Sequence, residues 1–167
     1  MKLIGMLDSP YVRRVAISLQ CLGLPFEHQS LSVFRTYEQF RAINPVVKAP
    51  TLVCDDGTVL MDSSLILDYA EAMAAPKRLM PKDIAARCRD LRIMGLALAA
   101  CEKAVSLYYE RALRPAEARH MPWIERVTAQ MLAAFDELEK EATSAPLPSG
   151  GSAMNQAGIC TAVTWYF

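Results

Sequence analysis

The sequence lacks an excess of charge of either sign, because its 167 residues contain 18 lysines and arginines and 18 aspartates and glutamates. A chain of this kind has no overall electrostatic field that would attract nucleic acid or an anionic membrane surface. It also lacks an apolar run long enough to span a bilayer, and it does not start with a basic segment followed by a long apolar one. These absences argue against nucleic-acid binding, membrane insertion and secretion.

The sequence is also poor in the patterns that indicate disulfides or metal sites. Its five cysteines form no CxxC pair, and neither they nor the two histidines show the spacing of a metal site. An odd number of unpaired cysteines favours free thiols in a reducing compartment. We therefore expect a cytoplasmic protein without a bound metal, and its 53% of hydrophobic residues is ample for a folded core.

The clearest local pattern is a buried strand that passes directly into a helix near Ser9. The run from residue 3 to residue 7 is apolar and uncharged, which is typical of a strand covered on both faces. Pro10 suits the first helical position, and Ser9 before it is a residue type that caps helices. Unpaired amides and the helix dipole stabilise an anion at such a position, so it also suits thiolate chemistry. From these residues alone Ser9 is either a cap or part of a site.

The segments that follow predict further strands and helices in the order βαβα and then ββα. The pattern predicts an edge strand over Pro25–Leu31 and a short helix over Arg35–Ala42 that stops at Asn44-Pro45. A β-hairpin follows, formed by Thr51–Cys54 and Thr58–Met61 around a three-residue loop in which Gly57 takes positive φ. The next helix opens at Asp62-Ser63-Ser64. Its predicted inward face is Leu65, Ile66, Tyr69 and Met73.

The second half of the chain predicts only helices. The first spans Ile84–Leu113, the second Pro122–Ala142, and a third begins near Asn155. The predicted inward positions are, in the first, Leu91, Met94, Leu98, Cys101 and Val105, and, in the second, Ile124, Val127, Met131, Ala134, Phe135 and Leu138. In the third helix Ile159, Val163 and the final aromatic run also have the character of core residues. We therefore expect a truncated form, or a second chain that covers this surface.

Four features together resemble the glutathione S-transferase superfamily, and especially its bacterial serine-type members. They are Ser9-Pro10-Tyr11-Val12-Arg13 after the first strand, Asn44-Pro45 with Lys48-Ala49-Pro50-Thr51-Leu52, Asp62-Ser63 at a helix start, and the helical second half. The resemblance implies an α/β thioredoxin-like N-terminal domain over residues 1–75 and a linker over 76–83. It further implies an all-α domain over 84–167 that is incomplete relative to the family.

The resemblance also assigns the parts of glutathione to residues of this chain. It implies that the carboxylate of Asp62 pairs with the γ-glutamyl ammonium, and that the hydroxyl of Ser63 receives the γ-glutamyl carboxylate. The backbone of Ala49, before a cis Pro50, is expected to bind the cysteinyl part. Lys48 is similar to the family lysine that reaches the glycyl carboxylate.

For Ser9 the resemblance implies a hydrogen bond to the glutathione sulfur that favours the thiolate. The expected function is that of a glutathione transferase, a detoxification enzyme in which this thiolate attacks a small electrophile or a peroxide. Glutathione is the expected cosubstrate, and a homodimer is the expected assembly, with no metal, nucleic acid or membrane involved.

Three other functions compete with this one. A thiol-disulfide oxidoreductase of the same fold needs a cysteine where this chain has Ser9, so that mechanism is disfavoured. A non-catalytic adaptor would keep the fold without needing Lys48, Asp62 and Ser63. A purely structural or interaction protein would leave the joint occurrence of these residues as coincidence.

Overall fold

The chain divides into two units, Met1–Met80 and Pro81–Phe167. The structure is a computed structural model, and it describes residues 1–148 and 153–167. The division after Met80 falls inside the range 76–83, where the sequence predicts a linker. The exact domain bounds of 1–75 and 84–167 stay a prediction.

The first unit is built on a four-stranded mixed sheet. Its elements are β1 (Lys2–Ile4), α1 (Pro10–Leu22), β2 (Glu27–Gln29), α2 (Tyr37–Ile43), β3 (Thr51–Val53), β4 (Val59–Met61) and α3 (Ser63–Met73). The strand order is β2-β1-β3-β4, in which β1 pairs parallel with β2 and antiparallel with β3, and β3 pairs antiparallel with β4. This confirms the predicted βαβαββα order and the thioredoxin-like fold.

The apolar part of the central strand β1 is buried, as predicted, although the strand ends at Ile4 and does not extend to residue 7. Leu3 and Ile4 have no exposed surface, and Ile4 packs in a cluster with Leu31 and with Phe40 of α2. Helix α1 buries the apolar positions that recur at helical spacing, which are Val12, Val15, Ala16 and Leu19. This apolar side of α1 is therefore the side that is buried.

The predicted inward face of α3 is wrong in part. Ile66, Leu67 and Ala70 are buried, whereas Leu65, Tyr69 and Met73 are exposed. Because α3 packs against α1, the buried stripe is the one that faces that helix. The apolar residues of α3 cover more than one side of the helix, so periodicity did not identify the face that is buried.

Three predicted boundaries in this unit shift by a few residues. The edge strand is limited to Glu27–Gln29. Helix α2 starts only at Tyr37, because the hydroxyl of Ser32 accepts hydrogen bonds from the N–H groups of residues 34 and 35 and so forms a turn before the helix. The hairpin connection spans residues 54–58 instead of three residues, although Gly57 has the predicted positive φ, at +86°.

The second unit contains α4 (Ile84–Ala112), a single 3-10 turn (Ala116–Ala118), α5 (Met121–Ser144) and α6 (Gln156–Trp165). Helix α4 packs against both α5 and α6. The core that these three helices share contains Ile93, Ala97, Leu138, Ala157 and Cys160. None of the helices in the described ranges is long and apolar enough to cross a membrane.

The inward face of α5 is largely as predicted, and that of α4 is wrong in part, since Cys101 is buried as predicted but Leu91 is not. In α5 the buried residues are Ile124, Val127, Ala134 and Leu138. In α4 Leu91 is 51% exposed, while Ile93 and the small residues Ala97 and Ala100 are fully buried. Since α4 receives a neighbouring helix on two sides, small residues occupy the places of close approach, and a single apolar stripe does not describe it.

Helix α6 starts at a cap that uses a carboxylate from another helix. The Oδ1 atom of Asn155 accepts a hydrogen bond from the N–H of Gly158 at 2.9 Å, which confirms the predicted cap. The Nδ2 atom of Asn155 donates to Oδ2 of Asp90 on α4, also at 2.9 Å. Burial raises the pKa of Asp90 above its ordinary value of 3.8. A carboxylate of α4 thus holds the side chain that caps α6.

Candidate functional site

Ser9 is the N-cap of α1. Its Oγ accepts a hydrogen bond from the N–H of Val12 at 3.4 Å, and its carbonyl accepts one from Arg13 at 3.0 Å. Pro10 occupies the first turn, as predicted. A serine hydroxyl has one proton and two acceptor lone pairs, so a cap bond that uses a lone pair leaves the proton able to donate. The side chain is half-buried at this end of the helix.

The loop that carries Lys48 and Ala49 is held by hydrogen bonds between residues 44 and 51. The Thr51 Oγ1 donates to the carbonyl of Lys48 at 2.7 Å and accepts from Nδ2 of Asn44 at 2.8 Å. The Ala49–Pro50 peptide bond is cis, as the resemblance implied. Among the residues that the structure describes, neither the N–H nor the carbonyl of Ala49 has a hydrogen-bond partner. Its peptide groups are therefore available to pair with another extended backbone.

Gly5 is the point where β1, α1 and this loop meet. Its φ is +137°, and a Cβ atom there would lie 2.7 Å from Cγ2 of Val12 and 3.3 Å from Cβ of Ala49. The first distance is too short for two carbon atoms, so only glycine fits without movement of the neighbours. Ala49 is thus brought against the turn that leads from β1 to Ser9.

Asp62 is the N-cap of α3 and has a backbone conformation that is rare outside glycine, with φ at +71°. Its Oδ1 accepts from the N–H of Ser64 at 2.9 Å. Its Oδ2 lies 3.8 Å from Nζ of Lys48, and both side chains are about half exposed. The structure thus brings together Lys48 and Asp62, which the sequence assigned to opposite ends of one ligand.

Arg14 of α1 contacts the start of α3 directly. Its side chain is 1% exposed, and its Nη1 donates to Oγ of Ser63 at 3.0 Å and to Oγ of Ser64 at 3.1 Å. Arg14 lies outside the apolar i, i+3, i+4 pattern of α1, so helical periodicity does not predict that it is buried. The sequence did not identify Arg14 as part of the site, because its hydrogen-bond partners are 49 and 50 positions away in the chain. A local sequence pattern does not reveal a contact of that kind.

The arrangement favours a ligand with an ammonium and a carboxylate close together. Asp62 offers a carboxylate for the cation, while the hydroxyls of Ser63 and Ser64 and the positive end of the α3 dipole favour an anion. Within residues 1–148 and 153–167, no group of three histidine, cysteine, aspartate or glutamate side chains is placed to hold a metal ion. The carboxylate of Asp62 and the two hydroxyls suit the ammonium and carboxylate of an amino-acid head group.

Comparison with known proteins gives the family. Residues 3–78 match the family model described as glutathione S-transferase, N-terminal domain. The GST-like protein YibF of Escherichia coli K12 is 30% identical over 139 residues, which are 83% of this chain and 68% of that protein. The chain belongs to the glutathione S-transferase family.

Solved structures of glutathione transferases share the fold over almost the whole chain. A family member from Pseudomonas fluorescens Pf-5 with bound glutathione is 32% identical, with a TM-score of 0.83, and the match covers 98% of this chain and 80% of that one. A glutathione S-transferase from Methylobacterium radiotolerans in complex with glutathione sulfonate is 26% identical, with a TM-score of 0.87, covering 98% and 76%. Both of these proteins were solved with glutathione or a derivative of it.

The crowding at Gly5 predicts a loss of stability when a side chain is added. Gly5→Ala should lower the free energy of unfolding by about 3 kcal/mol, because backbone strain and overpacking each cost about 1–3 kcal/mol. Gly57→Ala is the matched control, since Gly57 also has positive φ, +86°, but nothing within 4 Å of an added Cβ. Urea unfolding followed by circular dichroism measures both. Equal losses in the two variants would show that Gly5 is not crowded.

Proposed function

We propose that this family member is a serine-type glutathione transferase, which binds glutathione at Ser9, Lys48, Ala49, Asp62 and Ser63 and activates its thiol. The activated thiolate attacks a small electrophile or a peroxide, as in detoxification. The observation that carries this proposal is the start of α3, where an aspartate and two serine hydroxyls adjoin a buried arginine. The Pseudomonas fluorescens relative, which has bound glutathione, supports it.

The γ-glutamyl group is the part of glutathione that fits the start of α3. Its ammonium pairs with the carboxylate of Asp62, which is half exposed and accessible to a ligand. Its carboxylate accepts from the hydroxyl of Ser63. Because that hydroxyl already accepts a hydrogen bond from Arg14, its own proton is free to point at the ligand.

Removing either of these groups should weaken glutathione binding. Asp62→Ala and Ser63→Ala should each cost about 1.5–3 kcal/mol of affinity, the usual contribution of a hydrogen bond to a charged group. Asp56→Ala is the matched control, because Asp56 also accepts from the N–H two residues further on, at 2.9 Å, but lies in the exposed hairpin turn. Calorimetric titration with glutathione gives the affinities. Unchanged affinity in both α3 variants would contradict the assignment of the γ-glutamyl group to Asp62 and Ser63. In a separate test, a wild type that is not retained on glutathione resin would favour a non-catalytic adaptor.

The cysteinyl and glycyl parts of glutathione then extend along the loop before β3. The N–H and carbonyl of Ala49, which have no partner among residues 1–148 and 153–167, suit the main chain of the cysteinyl residue. The Nζ atom of Lys48 lies 3.8 Å from Oδ2 of Asp62. We propose that the γ-glutamyl ammonium replaces Lys48 there, and that the long lysine side chain turns to the glycyl carboxylate. An exposed pair of this kind contributes about 0–1 kcal/mol, so little is lost when it breaks.

The role proposed for Ser9 is to stabilise the thiolate of bound glutathione. An unperturbed thiol has a pKa of about 8.5, so at neutral pH most of it is protonated. A hydroxyl that donates to the sulfur, beside the N-terminus of α1, favours the charged form and lowers this pKa. A decrease of ~2 pKa units requires about 2.7 kcal/mol, which one hydrogen bond to an anion and nearby amides supply.

Ser9→Ala should therefore reduce turnover by about 10- to 100-fold and leave glutathione affinity nearly unchanged. The pKa of the bound thiol should rise, because the charged form loses its donor, and the pH–rate profile should move upward with it. Ultraviolet absorbance of the bound thiolate against pH measures this pKa. Ser9→Thr is the control, since it keeps both the hydroxyl donor and the cap. Identical thiolate titrations in wild type and Ser9→Ala would leave Ser9 as a structural cap alone.

We also propose a cytoplasmic homodimer. None of the five cysteines forms a disulfide, which suits a reducing compartment. Helix α3 exposes Leu65, Tyr69 and Met73 at successive four-residue steps, and such an apolar stripe suits burial against a second copy. Sedimentation equilibrium at micromolar concentration should give twice the mass of the chain. A soluble monomer under these conditions would contradict the dimer.

A further inference from the structure

The imidazole of His28 holds the carbonyl group of Gly5, the residue that follows strand β1. Its Nε2 atom lies 2.8 Å from that carbonyl oxygen. A carbonyl oxygen only accepts hydrogen bonds, so Nε2 carries a proton and donates it. Both nitrogens of a charged imidazolium carry protons, so either charge state of His28 can make this bond. The contact joins a side chain of the edge strand β2 to the segment that leads to Ser9.

This imidazole takes the place that a backbone N–H group would fill in a longer parallel ladder. In the β1–β2 pair, the N–H of Glu27 donates to the carbonyl of Met1 at 3.0 Å. Because such bonds recur at every second residue of each strand, the N–H of Leu31 would donate to the carbonyl of Gly5. It donates instead to the carbonyl of Gln29, at 3.1 Å. The ladder thus ends at Gly5, and the imidazole supplies the missing donor.

Both backbone groups of Gly5 are therefore bonded to β2. Its N–H donates to the carbonyl of Gln29 at 3.1 Å, and its carbonyl accepts from His28. The second bond matters at a glycine, because a residue without a side chain has a wide range of backbone angles. The next four residues form a turn in which the N–H of Ser9 donates to the carbonyl of Met6 at 3.2 Å. The direction of the Gly5 carbonyl thus decides where this turn places Ser9.

We propose that His28 is a positioning residue for Ser9. This rests on the proposed function, in which Ser9 stabilises the thiolate of bound glutathione. By fixing the Gly5 carbonyl, the imidazole keeps the Ser9 hydroxyl at the place from which it donates to the sulfur. Gly5 also lies next to Ala49, the residue proposed to bind the cysteinyl main chain. The contact therefore sets the position of the hydroxyl relative to the part of the ligand that carries the thiol.

Two substitutions of His28 differ in whether they restore the contact. Glutamine carries an amide N–H₂ group the same number of bonds from Cα as Nε2 of histidine, so His28→Gln can donate to the Gly5 carbonyl. Asparagine is one bond shorter, so His28→Asn keeps an amide that does not reach this carbonyl. His120→Asn is the control, because the second histidine of the chain is also exposed but lies at the start of α5. His28 is exposed as well, so neither substitution removes a core side chain.

The readout is the pKa of the thiol of bound glutathione, followed by ultraviolet absorbance against pH. His28→Asn should raise this pKa by about 1 pKa unit, a 10-fold change in the thiol–thiolate equilibrium, because the donor to the sulfur is displaced. His28→Gln should restore most of the wild-type value, and His120→Asn should titrate as wild type does. In a Ser9→Ala background, His28→Asn should leave the pKa unchanged, because the hydroxyl that it positions is absent.

The outcomes separate this inference from the proposed function. His28→Asn with the thiol pKa of wild type, or with the same rise in the Ser9→Ala background, would overturn the inference and leave the glutathione site standing. A wild type whose bound thiol titrates at the unperturbed value of about 8.5 would overturn the role of Ser9 as well.

NMR of the wild-type imidazole provides the test if His28→Asn does not bind glutathione. The neutral ring of His28 should carry its proton on Nε2, as the bond to the Gly5 carbonyl requires. A proton on Nδ1 instead would contradict the contact and overturn the inference.

Discussion

One buried guanidinium ties the two helix starts of the N-terminal unit together. Arg14 lies on the first helix, and its hydrogen bonds reach Ser63 and Ser64, the first two residues of the third. A hydrogen bond that involves a charged group contributes about 1.5–3 kcal/mol, so these contacts hold the two helices at a fixed spacing at this end. Since Ser9 caps the first helix and Asp62 caps the third, the same contact fixes the distance between the two polar ends of the candidate site.

The features that depend only on residues close together in the chain could be predicted from the sequence. The caps at Ser9, Asp62 and Asn155 follow from residue type and from the apolar pattern that comes after them, and the structure has all three. The hairpin and the glycine at its turn follow in the same way. The cis bond before Pro50 came from the family resemblance, since nothing in its immediate neighbours specifies it.

Other features could not be predicted, because they depend on residues that are far apart in sequence. Arg14 has the spacing of a solvated charge, and only the start of α3 makes it a buried one. Nothing in the sequence around Gly5 indicates that it is crowded, because the crowding comes from Val12 and Ala49. The inward face of α4 was predicted only in part for the same kind of reason, since two helices pack against it and Ala97 and Ala100 are buried beside Cys101. Helical periodicity shows that a helix has an apolar side. It does not show how many other helices pack against that side.

The geometry and the resemblance contribute different parts of the functional account. The geometry provides a carboxylate, two hydroxyls and a helix N-terminus at one position, a free peptide group at Ala49, and a capping hydroxyl at Ser9. Each of these is ordinary by itself, and their joint occurrence suits a peptide that has an amino-acid head group and a thiol. The family resemblance then identifies glutathione as a peptide of that kind, and relatives solved with glutathione support the choice.

A crystal structure of this chain with glutathione tests the central claim most directly. The account predicts the γ-glutamyl carboxylate within hydrogen-bond distance of the Ser63 hydroxyl and its ammonium on Asp62. It predicts the cysteinyl main chain paired with Ala49 and the sulfur within reach of the Ser9 hydroxyl. Glutathione bound elsewhere on the chain, or bound here with its sulfur directed away from Ser9, would contradict it.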